Sequence, residues 1–199
     1  IEFQRRIAEI QTISPRFGDL NAQIQNTLAT SRESLTREVA EFAKAANIPL
    51  PKAAEGLYQT LSNQFAEVGD RSKVMLAAME LSRVGVMNFD KAVLLLTGTI
   101  NAYGKTSAEA ESLASKFFTT IRLGRVRGEE LAATLGQVIP VAGELGVSVD
   151  EMNAAIVAMT IGGLDAHKTM TSLRSVMMEF LKPSEDMKKV VRELGFTSA

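Results

Sequence analysis

The chain has 199 residues, with 22 Lys and Arg against 23 Asp and Glu and a formal charge of −1, so it lacks the cation excess that phosphate-driven nucleic-acid binding needs. A composition of 46% hydrophobic and 23% charged residues excludes a disordered chain. The complete lack of cysteine excludes disulfides, zinc–thiolate sites and thiol nucleophiles, and the single histidine leaves little for imidazole-based metal binding.

The chain opens Ile1-Glu2-Phe3 without a methionine, and so reads as a piece of a longer polypeptide. Phe3, Ile7, Ile10, Phe17, Leu20, Ile24 and Leu28 recur at steps of three, four or seven, the spacing of an apolar seam on helices. Ser14-Pro15 suits a cap followed by a proline in the first turn. Residues 1–33 are therefore expected to form a helical arm or the end of a coiled coil. Residues 34–199 are expected to form a compact helical domain.

After Thr30-Ser31 the punctuation becomes dense. Ser34 is expected to cap a helix to about Ala46, stopped by Asn47-Ile48-Pro49, and Pro51 starts the next to about Phe65. Gly69-Asp70 is read as a break, with Ser72 capping a helix to Val84 and Gly85 stopping it. Asn88 opens a helix ended by Gly104, and Ser107 one ended by Gly124. Glu129 to Val138 follows, then a turn or two from Pro140 to Leu145. Ser148-Val149-Asp150-Glu151 is a capping box for a helix to about Ile161. Asp165 caps one ending near Lys182-Pro183, and Ser184 starts the last, stopped by Gly195. No alternating β-branched run bounded by a hairpin turn occurs. The fold class is all-α, about nine short helices arranged as stacked hairpins. The longest apolar stretch, Met152 to Leu164, is shorter than the ~20 residues of a spanning helix.

Chemistry is sparse. Gly98-Thr99-Ile100-Asn101-Ala102-Tyr103-Gly104-Lys105-Thr106 places five residues between its first glycine and Gly-Lys-Thr, where a phosphate-cradling loop has four. A helix stop at Gly104 with an exposed Lys105 accounts for the same residues. His167 has no nucleophile or second acid nominated beside it, and reads as an exposed helix residue. Glu129-Glu130 and Glu185-Asp186 fall in first helical turns, where negative charge suits the helix dipole. Arg122, Arg125 and Arg127, with Lys188-Lys189, read as solvated charge. Met152, Met159, Met170, Met177, Met178 and Met187 read as core packing before an adaptable binding face. Alanine pairs such as Ala53-Ala54, Ala77-Ala78 and Ala154-Ala155 let helices approach closely. No catalytic, cofactor-binding or metal-binding residue is assigned.

From Leu123-Gly124-Arg125 onward the order of phrases is distinctive: Gly128-Glu129-Glu130-Leu131-Ala132, Leu135-Gly136 and Pro140-Val141-Ala142-Gly143-Glu144-Leu145-Gly146-Val147-Ser148. Asp150-Glu151-Met152-Asn153-Ala154-Ala155-Ile156, Met159-Thr160-Ile161-Gly162-Gly163, Thr171-Ser172-Leu173-Arg174-Ser175 and Leu181-Lys182-Pro183-Ser184 follow. Upstream stand Ala53-Ala54-Glu55-Gly56-Leu57-Tyr58 and Ile100-Asn101-Ala102-Tyr103-Gly104 with Ser107-Ala108-Glu109. This series, over roughly Ser34 to Phe196, resembles the core region of tail tape measure proteins from long-tailed bacteriophages and prophages. The resemblance implies a structural role in tail assembly, tail-length determination and genome delivery, with residence inside the tail tube of the virion and in the host cytoplasm during assembly. It implies a homo-oligomer whose partners are tail tube, tail tip and tail assembly chaperone proteins, and contact with the host envelope on ejection. It implies no enzyme, no cofactor and no sequence-specific nucleic-acid binding. The family is known for a long helical ruler, whereas this segment is dense with stops. The readings that compete with it are a helical adaptor domain of a cellular protein and, behind that, a P-loop NTPase or lytic hydrolase.

Overall fold

The computed structural model describes residues 22–65 and 68–193, with side-chain surroundings from Arg32 onward. The seam positions Phe3 to Leu20, Pro15 and the stop at Gly195 lie outside the described residues.

Ten α-helices and no strand occur among the described residues. The first, α1 (Ala22–Ala46), runs unbroken through Thr30-Ser31 and Ser34, so the expected cap at Ser34 is corrected. No glycine or proline interrupts those residues. Leu35, Val39, Ala43 and Ala46 form a single buried stripe along it, at helical spacing. Asn47, with φ 53°, turns the chain into α2 (Leu50–Ser62), which carries Pro51 in its first turn.

The helix α3 (Val68–Val84) also begins before its expected cap, taking in Gly69, Asp70 and Ser72. Two distant bonds hold this first turn. Asp70 Oδ1 accepts the Ser107 hydroxyl at 2.5 Å, and buried Arg71 reaches Glu38 on α1. Next come α4 (Phe89–Ala102), a 3-10 turn (Ser107–Glu109), α5 (Ala110–Leu123), α6 (Gly128–Leu135) and α7 (Ile139–Leu145). Ser107 does not open α5. Thr106 and Glu109 form the capping box there, while the Ser107 hydroxyl is committed to Asp70. The last three helices are α8 (Val149–Ile161), α9 (Ala166–Leu181) and α10 (Glu185–Glu193).

Consecutive helices pack as hairpins through the first half: α1 on α2, α2 on α3 and α3 on α4. The second half adds longer connections, with α5 between α3 and α8, and α9 against α6, α7 and α8. One contiguous core joins them. Leu57, Leu81, Leu96, Ile100, Phe117, Leu131, Leu135, Met152 and Ile156 are fully buried in it. Each such side chain contributes about 1.5–3 kcal/mol of transfer free energy. The end of α3 and the start of α6 meet backbone to backbone, so close that a Cβ on Gly128 would lie 2.0 Å from the Gly85 carbonyl oxygen. No helix among the described residues is long and apolar enough to cross a membrane.

Candidate interaction groove between two parallel helices

Two helices far apart in sequence, α5 and α8, lie side by side and point the same way. Midway along α5, Lys116 Nζ meets Asp150 Oδ2 in the first turn of α8 at 2.6 Å. Near their ends the Arg125 N–H donates to Thr160 Oγ1 at 3.2 Å. The start of α8 is set by the expected capping box: Ser148 N–H donates to Glu151 Oε2 at 2.9 Å, and Glu151 N–H to Ser148 Oγ at 3.2 Å. The Ser148 hydroxyl holds the Glu151 carboxyl below its ordinary value.

Between the two helices runs a groove of about 550 Å³. Ser112, Ser115 and Thr119 form its α5 wall, and Ala154, Val157 and Ala158 its α8 wall. These residues are small and recur every three or four positions, so they fall on one stripe of each helix. The groove is mostly apolar, with Leu123 at one end and the Lys116–Asp150 pair toward the other. Asn153, only 6% exposed, also lines it, and neither amide atom of its side chain has a hydrogen-bond partner within the protein. An unsatisfied buried polar group costs about 1–3 kcal/mol.

The groove was not singled out in the sequence. Its signal is weak there: Ala154-Ala155 reads only as close helix packing, and the pairing of α5 with α8 is a long-range feature.

The residues of the glycine-rich stretch, the histidine and the charged clusters have local structural roles. Gly98 to Ala102 lie inside α4, and Gly104 takes a left-handed φ of 58° as the helix stop. Lys105 is half-buried and not exposed as expected, because its Nζ pairs with Glu109 at 2.6 Å, a bond that holds the Glu109 carboxyl below its ordinary value. His167 is exposed at the start of α9, where Asp165 Oδ1 accepts the Lys168 N–H at 2.8 Å as the expected cap. Glu129 is engaged by Lys91 at 3.1 Å and by the Asn88 N–H at 2.6 Å, while Asn88 makes no side-chain cap of its own. Glu130 pairs with Arg127, and Glu185 with Lys188 at 2.6 Å. Arg122 and Arg125 are exposed near the Leu123 end of the groove. Met152, Met170 and Met177 are core residues, as expected, whereas Met159, Met178 and Met187 are only half-buried, Met187 on a helix with no buried side chain. Tyr103, whose O–H points at Met152 Sδ from 4.0 Å, has its phenol pushed up to about 12, chiefly by burial and then by Glu151. No cluster of three or more metal-ligating side chains occurs among the described residues.

With this geometry in hand, known proteins provide the comparison. A family model described as phage-related minor tail protein matches residues 53–199. A tape measure protein of Pneumococcus phage Dp-1 is 24% identical over 194 residues, covering 98% of this chain and 16% of that protein. A probable tape measure protein of Clostridium phage phiCD119 is 27% identical over 184 residues, covering 91% of this chain and 18% of that protein. The chain thus spans less than a fifth of the length of these relatives. No solved structure matches it.

Proposed function

The chain belongs to the phage-related minor tail protein family, and from that premise we propose that it is a structural segment of a tape measure protein. In this reading it acts in tail assembly, tail-length determination and genome delivery, as a packed body and not as a catalyst. It resides inside the tail tube of the virion, and in the host cytoplasm during assembly. It works by self-association and by contacts with tube, tip and assembly-chaperone proteins, and it meets the host envelope at ejection.

The observation that carries the proposal is the extent of the family match, which begins at Ala53 within α2 and takes in every later helix. Two relatives named as tape measure proteins, one of them as probable, align with nearly the whole chain. We also propose the division into a helical arm over 1–33 and a compact domain over 34–199. It is supported by the buried stripe that α1 carries from Leu35 to Ala46.

The test is an in-frame deletion of residues 53–193 in the phage gene, followed by electron microscopy and plaque assay with the intact gene supplied in trans. Loss of normal tails, restored by complementation, is the expected result. Infectious particles with unaltered tails from the deletion alone overturn the proposal.

A further inference from the structure

The helix α10 carries a face with no place in the core. None of its side chains is buried, although Met187, Val190 and Val191 lie on one side of it. At ~1.5 Å per residue its nine residues span about 12 Å, and the groove wall from Ser112 to Leu123 runs roughly 16 Å. An apolar stripe, with Val190 exposed and Met187 and Val191 half-buried, and an apolar groove long enough to receive it therefore occur on one chain. Leaving either in water forfeits transfer free energy.

Charge selects the orientation. On a helical wheel at about 100° per residue, Glu111 and Arg122 flank the same edge of the α5 stripe, three turns apart. One end of the groove thus carries Glu111, Asp150 and Glu151 against a single cation, Lys116, which is paired with Asp150. The other carries Arg122 and Arg125, which have no carboxylate partner among the described residues. The helix α10 begins with Glu185 and Asp186 and carries Lys189 and Arg192 later. Laid antiparallel to α5 and α8, it brings its acids to the arginine end and its bases to the acidic end. Its dipole then opposes theirs, which is the favourable arrangement.

We propose that the α5/α8 groove is a self-association site that receives α10 of a second copy of this chain, antiparallel, with Met187, Val190 and Val191 inserted between the two walls. The inference rests on the self-associating role proposed above and names its surface. A reciprocal exchange closes a dimer, and a one-way exchange builds rings or open chains.

Sedimentation equilibrium on the full chain tests this. Association should be concentration-dependent, and Met187→Glu with Val190→Glu should weaken it at least tenfold. Far-UV circular dichroism should be unchanged, since α10 contributes no buried side chain. Arg122→Asp should weaken association several-fold, and Asp186→Arg in the same chain should restore it. Because the chain has no cysteine, Ala154→Cys and Val190→Cys proteins, made separately and mixed, should form a mixed disulfide between chains. A wild type that stays monomeric at micromolar concentrations overturns the proposal, as does association indifferent to the α10 substitutions. A disulfide that closes only within a chain bearing both cysteines assigns the groove to its own α10 and also overturns it. These failures leave the tail role standing, because that role is decided by the deletion phage.

Discussion

The Arg71 guanidinium grips the Glu38 carboxylate with two parallel bonds, from Nε at 3.0 Å and from Nη2 at 2.8 Å. The pair joins α3 to α1 across 33 residues, with the arginine side chain 5% exposed and the glutamate 17%. Removing one partner leaves the other charged and desolvated, a defect worth about 3–5 kcal/mol in buried pairs. Glu38→Ala should lower unfolding free energy by about 3 kcal/mol in urea titration. A change below about 0.5 kcal/mol, the level of an ordinary surface substitution, would show the pair to be ornamental.

Two glycines of α6 and its end should respond oppositely to alanine. At Gly128 the added methyl meets the Gly85 carbonyl oxygen at 2.0 Å, backbone that cannot yield without separating α3 from α6. At Gly136 the backbone is right-handed, with φ −56°, and nothing lies within 4 Å of the new Cβ. Gly128→Ala should destabilise by about 2 kcal/mol or more, in the range of overpacking. Gly136→Ala should be neutral or stabilise by about 0.4–1 kcal/mol, through the unfolded chain. Thermal melts of the two variants decide the matter.

Acid should loosen the helix starts together. Glu109, Glu129, Glu130, Glu151 and Asp165 all have carboxyls held below their ordinary values, 4.5 for the glutamates and 3.8 for the aspartate. The respective causes are bonds from Lys105, Lys91, Arg127, the Ser148 hydroxyl and the Lys168 N–H. A depressed folded value gives stability that is present above the unfolded value and is lost as pH falls through the folded one. Melting temperature should therefore hold from neutral pH to about 5 and decline below about 4. Ser148→Ala should cost about 1 kcal/mol at neutral pH, and the gap from wild type should narrow in acid. A gap independent of pH would separate the capping box from the acid response.

Tyr103 should set the alkaline limit. Its phenol is raised from 10.0 to about 12, so the folded chain favours the neutral form. Stability is lost as pH rises through that interval, because the unfolded chain ionises first. Tyr103→Phe should flatten this loss in melts between about pH 10 and 12, and tyrosinate absorbance of the folded protein should show one late-titrating group.

Tail length should not follow the residue count of this segment. A single rod of 199 residues would reach roughly 300 Å at ~1.5 Å per residue, but the stops at Gly104, Gly146 and Pro183 return the helices onto one core. Deleting α9 and α10 should impair assembly or infection. Viable phage whose tails shorten by about 1.5 Å per deleted residue would mean that the segment is extended in the virion.

Where a boundary depends on neighbours in sequence, the residues announce it. Ser148 with Glu151, Asp165 and Gly104 all stand where their local chemistry predicts. Where a boundary depends on distant partners, the local signal misleads. Ser107 resembles a cap but spends its hydroxyl on Asp70, 37 residues away, and the same bond keeps Gly69-Asp70 helical. Ser34 resembles a cap too, yet α1 runs straight past it, with Leu35, Val39, Ala43 and Ala46 buried in one stripe. The groove was illegible for the same reason, since its two walls are joined by Lys116 and Asp150, 34 residues apart.

The helix α10 hangs from Lys182-Pro183-Ser184 with no buried side chain. Seen as a mechanical part, the domain is therefore lopsided. Tension on the C-terminal side peels α10 first, against little resistance, and then bears on α9, where four buried side chains must leave the core. Tension applied to α1 at Arg32 meets the Arg71–Glu38 clamp and the stripe from Leu35 to Ala46 at once. A pull of equal force thus unravels the chain from its C-terminal side, helix by helix. Single-molecule stretching should record that as a small early extension followed by larger ones.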